Sequence, residues 1–412
     1  MPTISPEKAE AASSFRIVIG STFALFSALG AVVPVLPRYV HGPLGGGDLA
    51  VGVVVGVFFS GTLVARPTAG RLGDERGRRP VMVGGAAVMA AATAAFLLAS
   101  DVAVLAVLRL LQGVGEATFY VGAATAVTDL VPVSRRGQAV SYFSAAVYAG
   151  LAVGPLVAEW ISGADTYGRV WVLATALSAL AATMALRLPE PPRSPRRRSR
   201  ARLLHPAGLV PGSVFGLATL GYAAFTAFMP LYALTRGLAG PAPVFAVFAA
   251  ITVVGRLTGA QIPDALGPAT TARGGLVMMA TGSAVLAGCW TAAGLWSGVV
   301  LFAVGNAFMF PGLLGVALGA APDGERAAVV GTVVAFFDLS QGVGALLLGA
   351  VVALAGYPLA FLTGAVGAVV GLVVLAGADR RSPGLRRSPQ HRPDGRELGP
   401  GMFEVLDRAG ER

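Results

Sequence analysis

Long apolar runs separated by short polar breaks make up most of this chain. After a polar opening from Met1 to Ser14, the first run reaches Pro37, about the ~20 residues that a membrane-spanning helix needs. No small-residue cleavage pattern follows it, so it reads as a retained span. Further runs lie at Leu49 to Val64, Pro80 to Ala99, Val102 to Val127, Gln138 to Trp160 and Trp171 to Leu188. Beyond a polar stretch come Val210 to Leu234, Val244 to Ile262, Gly274 to Trp290, Leu295 to Leu318, Ala327 to Ala353 and Pro358 to Ala376. The pattern predicts an all-α membrane protein of about twelve spans in two six-helix bundles, 15–188 and 210–378. An N-terminal segment 1–14, a basic linker 189–209 and a tail 379–412 flank the bundles.

One polar break returns. Arg66, Gly70, Asp74 and Gly77 are matched by Arg256, Ala260, Asp264 and Gly267, each 190 positions further on. A repeat of that length predicts two related halves, and in a many-span chain it predicts a secondary transporter with its substrate between them. The linker PEPPRSPRRRSRAR is too charged and proline-rich to pack and reads as a mobile connector whose basic run suits anionic lipid. The tail has a similar character, apart from a short amphipathic piece at Phe403 to Leu406. Glycine recurs inside the runs, as in Gly150, Gly154, Gly342, Gly344 and Gly349, where small residues let helices approach closely in lipid. Pro34, Pro37, Pro155, Pro230 and Pro311 mark kinks.

Composition agrees: 55% of residues are hydrophobic and 13% charged, where soluble domains carry roughly a quarter. The net charge of +10 flanks the apolar runs, which is membrane topology and not a nucleic-acid groove. Arg71, Arg76, Arg78, Arg79, Arg135, Arg136, Arg273 and Arg326 fall on one side, against Arg38, Arg169 and Arg236 on the other. That asymmetry places both termini in the cytoplasm, and Trp160, Trp171, Trp290 and Trp296 fall at the opposite span ends, where amphipathic rings favour the headgroup zone. Lys8 is the one lysine among the basic residues, and the arginine usage hints at a GC-rich bacterial genome, so the expected location is a bacterial plasma membrane. One cysteine, Cys289, excludes an internal disulfide and a multi-cysteine metal site, and reads as a small apolar filler. No phosphate-binding loop, zinc spacing or serine elbow occurs, and His41, His205 and His391 lie outside the spans. The chain is expected not to be an enzyme, to need no cofactor or metal, and to draw on the proton gradient.

Gly70-Arg-Leu-Gly-Asp74-Glu-Arg-Gly77-Arg78-Arg79 resembles the signature between spans two and three of the major facilitator superfamily. Arg109-Leu-Leu-Gln112-Gly113-Val-Gly115 resembles that family's proton-linked arginine motif, and Gly150-Leu-Ala-Val-Gly154-Pro155 resembles its antiporter motif. The resemblance covers Phe15 to Ala378 and is nearest the bacterial drug and sugar efflux group of drug:proton antiporters. It implies the twelve-span major facilitator fold and a gate latch of Gly70, Asp74, Gly77, Arg78 and Asp129. In that latch Asp74 would cap the start of span eleven, near Ala327, and Arg78 would pair with Asp129. The second copy lacks the arginine run, since Pro268 and Thr270 replace it, so its latch should be weaker.

Ionisable groups near mid-membrane cost at least a few kcal/mol each, which singles out Arg109, Glu116 and Asp338. Arg109, Gln112, Gly113, Glu116 and Tyr120 recur at helical spacing and share one face of span four. That face is expected to line a cavity that Asp338 and Asn306 reach from the other half, with Tyr142, Tyr148 and Phe119 as further wall. Arg109 and Glu116 stand about 10 Å apart along the axis, so only extended side chains could meet. An apolar cavity favours the neutral form of a carboxyl and a nearby arginine favours the charged form, which is the basis for coupling. Glu116 or Asp338 would carry the proton and Arg109 would set its affinity, or the charges form a static buried pair. Glu159 reads as a solvated rim residue. Export of small amphipathic, drug-like or sugar-like molecules against protons is the leading expectation, with the acids favouring neutral or cationic cargo. A proton symporter or a non-transporting sensor on the same fold are the alternatives. The fold needs no second copy, so a monomer is expected.

Overall fold

The computed structural model describes residues 6–132, 135–161, 167–189, 204–259, 261–321 and 325–381, and among them regular structure is helical throughout. The basic linker's arginine run, the tail with Phe403 to Leu406, Ala260 and the Asp264 side chain lie outside the described residues. The helices are α1 (Pro6–Val32), α2 (Leu36–His41), α3 (Asp48–Arg76), α4 (Arg78–Ala94), α5 (Val102–Asp129), α6 (Arg136–Ile161) and α7 (Tyr167–Leu186). Then follow α8 (Pro206–Ala218), α9 (Leu220–Thr235), α10 (Ala242–Thr258), α11 (Ile262–Leu266), α12 (Pro268–Gly288), α13 (Ala292–Gly319), α14 (Arg326–Ala355) and α15 (Tyr357–Arg381). Among the described residues ten segments are long and apolar enough to cross a membrane, with Ala242–Arg256 a shorter apolar helix.

Helices α1 to α7 pack chiefly on one another, as do α8 to α15. The two groups meet mainly where α3 lies along α14, and secondly where α6 lies along α10. Packing in lipid has little hydrophobic drive, so close approach depends on small residues. On α3, a Cβ added at Gly52 would fall 2.5 Å from the Ala345 carbonyl of α14, and one at Gly56 would fall 2.4 Å from that of Gly342. Within the first group, a Cβ at Gly154 of α6 would lie 2.4 Å from the Ser27 carbonyl of α1.

The sequence repeat is visible in the backbone. Gly77, between α3 and α4, has φ +95°, and its counterpart Gly267, between α11 and α12, has φ +86°. Left-handed geometry of this kind favours glycine, and here it turns the chain sharply from one helix into the next.

Three expectations need correction. The second span does not stop at Val64: α3 continues to Arg76 with Pro67 inside it, so Arg66 is a helix residue facing the other group and not a loop residue. Its charge is tolerated there because Asp338 meets it. The tryptophans lie near helix ends but do not all face outward. Trp160 and Trp290 are 86% and 72% exposed, whereas Trp171 is buried, edge-on to Tyr39 at 5.5 Å and Phe96 at 5.3 Å. Cys289 is exposed at the end of α12 and fills no core space.

Two breaks have different causes. Pro34 and Pro37 separate α1 from α2, as proline chemistry leads one to expect. The break between α8 and α9 falls at Thr219, with no proline nearby. The Thr219 carbonyl accepts from the Ala223 N–H at 2.9 Å and also from Gln341 Nε2 of α14 at 2.8 Å, while Ser340 Oγ donates to the Gly216 carbonyl at 2.6 Å. Irregular backbone at this depth is stable only with such partners.

Candidate functional site

A cavity of about 230 Å³ lies between the two groups. Its wall includes Arg66, Arg109, Glu116 and Tyr120 from α3 and α5, Tyr148 from α6, Thr219 and Tyr222 at the α8–α9 break, Arg256 from α10, Asn306 from α13 and Asp338 from α14. A smaller recess shares Tyr148, Tyr222 and Asn306 and reaches Pro155 and Thr252. Aromatic rings form much of the rest. Phe215 stacks on Phe337 at 5.4 Å and tilts against Phe310 at 4.9 Å, while Phe59 of the first group meets Phe337 edge-on at 6.0 Å.

The strongest polar contact across the groups is one that span boundaries alone concealed. Arg66 Nε donates to Asp338 Oδ2 at 2.5 Å and Arg66 Nη2 donates to Oδ1 at 3.1 Å, a two-pronged ion pair with Asp338 1% exposed. The Arg66 guanidinium also lies 5.1 Å from the Tyr120 ring centre. Glu116 is buried, and its Oε2 has no hydrogen-bond partner among the described residues. Arg66 is within electrostatic reach of both acids, so it is the natural counter-ion for either.

Arg109 and Glu116 do not meet. Arg109 donates to the Val54 carbonyl at 3.3 Å and to Gln112 Oε1, and its guanidinium covers Phe58 at 4.4 Å. Gln112 in turn donates from Nε2 to Thr93 Oγ1 at 2.8 Å. The helical face of span four therefore divides: Arg109, Glu116 and Tyr120 reach the cavity, while Gln112 points to α4 and Gly113 closes on the Phe58 carbonyl. Phe119 is buried against Gly85, and Tyr142 packs on Phe15, so neither belongs to the cavity wall. Tyr148 and Asn306 do.

The latch residues lie together in the first group. Arg78 donates from Nε to Asp129 at 3.2 Å, the pairing that the resemblance implied, and from Nη1 to Asp74 at 3.0 Å. No contact joins Asp74 to α14 among the described residues. Its side chain is 63% exposed, and Arg78 is its partner among the described residues. Nothing lies within 4 Å of a Cβ built on Gly70. The reason is where the groups meet. Their contacts fall at the level of Arg66–Asp338 or towards the other end, through Gly52 and Gly349, Glu159 and Gly240, and Tyr357 Oη, which donates to Asp48 Oδ1 at 3.2 Å. Glu159 is not a bare rim residue either, since Arg38 Nη2 donates to it at 2.7 Å.

Gly150 and Gly154 act on α1. A Cβ at Gly150 would fall 2.8 Å from the Phe23 carbonyl, so the motif sets how closely α6 lies on α1. Among the described residues no group of three or more His, Cys, Asp or Glu is placed to hold a metal ion.

Positive charge prevails in the cavity: three arginines, Arg66, Arg109 and Arg256, line it with two acids, Glu116 and Asp338. Arg66 and Arg256 were visible as members of the repeat. Thr219 and Gln341 carry no signal of their own: Gly216 and Gly221 flank the break, but glycine recurs throughout these helices and does not mark one.

Residues 18–340 match the family described as Major Facilitator Superfamily. An uncharacterized MFS-type transporter of Salmonella typhimurium is 30% identical over 382 residues, covering 88% of this chain and 95% of that protein. Another, of Burkholderia mallei, is 30% identical over 374 residues, covering 87% and 90%. Among solved structures, a bacterial homolog of the human lysosomal transporter Spinster, in an inward-facing and occupied conformation, superposes with a TM-score of 0.73 at 15% identity, covering 94% of this chain and 100% of that one. The human organic anion transporter TETRAN superposes with a TM-score of 0.70 at 18% identity, covering 90% and 100%.

Proposed function

Because this chain belongs to the major facilitator superfamily, and so is a multi-pass membrane transporter of small molecules and not an enzyme, we propose that it exports small amphipathic molecules in exchange for protons. The observation that carries this reading is the Arg66–Asp338 pair joining the two helix groups beside the unpartnered Glu116 oxygen. A buried ion pair is weak evidence of stability, since apolar residues of similar volume would pack as well, and an ionisable pair at mid-membrane therefore favours a working role over a static one.

The reading takes 15–188 and 210–378 as two related bundles of six spans, with α10 and α12 completing the twelve. The arginine-rich ends of α3, α4 and α12 face the cytoplasm with both termini, and the exposed Trp160 and Trp290 face outward. The state described is then open to the cytoplasm, with its outer side closed by Gly52 against Gly349 and by Tyr357 on Asp48. Asp338 accepts two guanidinium hydrogen bonds from Arg66 in this state. Cargo enters, the bundles rock, and Asp74 closes on the start of α14 as the outer contacts part. On the outside the Arg66–Asp338 geometry is lost, and Asp338 and Glu116 take protons that they release after the return. Arg66, more than Arg109, sets the balance, because it is the arginine within reach of both acids. The close fit of α6 on α1 at Gly150 and Gly154 supports exchange over symport, as the antiporter resemblance of that motif implies.

Purified protein in liposomes with an internal pH dye tests this. A panel of amphipathic compounds should include members that collapse an imposed pH gradient through the wild-type protein, while Glu116→Gln and Asp338→Asn still bind them but leave the gradient standing. Unchanged collapse in both variants would show that these acids do not carry the proton.

A further inference from the structure

Among the described residues the second cation of the repeat meets no acid. Arg256 corresponds to Arg66 at an offset of 190 positions, and the position that corresponds to Asp338 at the same offset is Tyr148. The structure brings the two sets together in the same way. Arg66 of α3 meets Asp338 of α14, and Arg256 of α10 meets Tyr148 of α6, its guanidinium 3.6 Å from the ring centre. One crossing is therefore an ion pair, and the other is a cation lying on an aromatic face.

The surroundings of Arg256 leave its charge unanswered. Its Nε is buried and has no hydrogen-bond partner, and no ion pair engages its guanidinium among the described residues. The other two arginines of the cavity are occupied, Arg66 by Asp338 and Arg109 by Gln112 and the Val54 carbonyl. Stacking on tyrosine orients the guanidinium without using its N–H groups, which leaves them free for a planar anion. The same cavity is lined by the Asn306 amide, by Tyr222, Phe310 and Phe337, and, in the side recess, by Phe245 and Phe248. A fixed cation with open donors next to an aromatic pocket suits a molecule with an anionic head and a flat apolar body.

We propose that Arg256, held on Tyr148, is the anchor for an anionic head group, and that the cargo is an aromatic or otherwise apolar organic anion such as a carboxylate. The missing aspartate of the second crossing is then supplied by the cargo itself. This deepens the transport reading and rests on the cavity being the cargo site, but not on protons driving the cycle.

The experiment is a binding measurement at equal pH on both sides, so that coupling plays no part. Three probes share one ring system and differ only in head group: 2-naphthoate, 2-naphthamide and 2-naphthylmethylammonium. Binding to the full-length protein in lipid nanodiscs is followed by calorimetry. The wild-type protein should prefer 2-naphthoate to the other two by about tenfold or more, the discrimination expected of one charge-assisted contact. Arg256→Gln should lose that preference while keeping its affinity for 2-naphthamide within about twofold, which also shows that it is folded. Arg256→Lys should keep part of the preference. Tyr148→Asp, which recreates the acid of the first crossing, should pair with Arg256 and abolish the preference as Arg256→Gln does. Equal affinity for the three heads, a preference for the cation, no binding of 2-naphthoate by the wild-type protein, or an unchanged preference in both Arg256→Gln and Tyr148→Asp would overturn the proposal. If the preference behaves as stated but no probe moves a pH gradient, the anchor stands and the proton-exchange reading falls.

Discussion

Replacing Asp338 with Asn keeps the shape of the side chain and removes its charge, leaving Arg66 without the carboxylate that it grips through two hydrogen bonds. Removing one partner of a buried ion pair costs about 3–5 kcal/mol, and the lower end applies because Arg66 is 21% exposed to the cavity and has Glu116 within reach. The reverse change, Arg66→Gln, strands an aspartate that is 1% exposed, so the upper end of about 5 kcal/mol applies. The double variant leaves two neutral amides able to bond to each other. Its loss should be about 1–2 kcal/mol, well short of the roughly 8 kcal/mol that independent effects would give. Unfolding in mixed micelles with increasing denaturing detergent measures all four corners of this cycle. A double variant as unstable as the sum of the singles would refute the reasoning, because it would mean that the two side chains do not depend on each other.

Two further outcomes follow from other parts of the fold. Gly154→Leu should lower Tm in detergent by forcing α6 off α1, at a cost of about 1–3 kcal/mol or more, with Gly154→Ala milder; an unchanged Tm in the leucine variant would mean that the helices are not in backbone contact there. Asp101 caps α5, and the Val104 N–H that it accepts holds its carboxyl below the ordinary aspartate range. A depressed folded value contributes stability that is complete above the ordinary range and is lost as pH falls through the folded value. Asp101→Asn should therefore flatten the acid limb of the stability profile, and an unaltered limb would remove Asp101 from its causes.

What could be read from the sequence and what could not divides on physical grounds. The apolar runs, the sharp turns at Gly77 and Gly267, and the Arg78–Asp129 pair all depend on local pattern or on a motif, and all were legible. Arg66 was noticed as part of the repeat yet assigned to a loop, because an arginine followed by proline looks like the end of a span when its partner is 272 positions away. The break at Thr219 was invisible for a similar reason: the groups that make it stable, Ser340 and Gln341, belong to another helix. Span four shows the limit of periodicity. It placed Arg109, Gln112 and Glu116 on one face, but a helix face is wide, and only packing decides that Gln112 turns to Thr93 while Glu116 opens to the cavity. The positive charge of the site is larger than the sequence suggests because Arg66 falls beyond a span drawn only to Val64, while Arg256, inside the run from Val244 to Ile262, registers only as a position of the repeat.

The central claim is that protonation of Glu116 and Asp338 shifts the two helix groups between opposite openings. Spin labels at Gly70→Cys and Gly331→Cys test it most directly in a Cys289→Ser background, since a Cβ at either glycine meets nothing within 4 Å and each group carries one label. Distances between the labels, measured in nanodiscs from pH 8 to pH 5 without cargo, should shift in population for the wild-type protein and remain fixed for the Glu116→Gln, Asp338→Asn double variant. The same pH-dependent shift in the double variant would contradict the account.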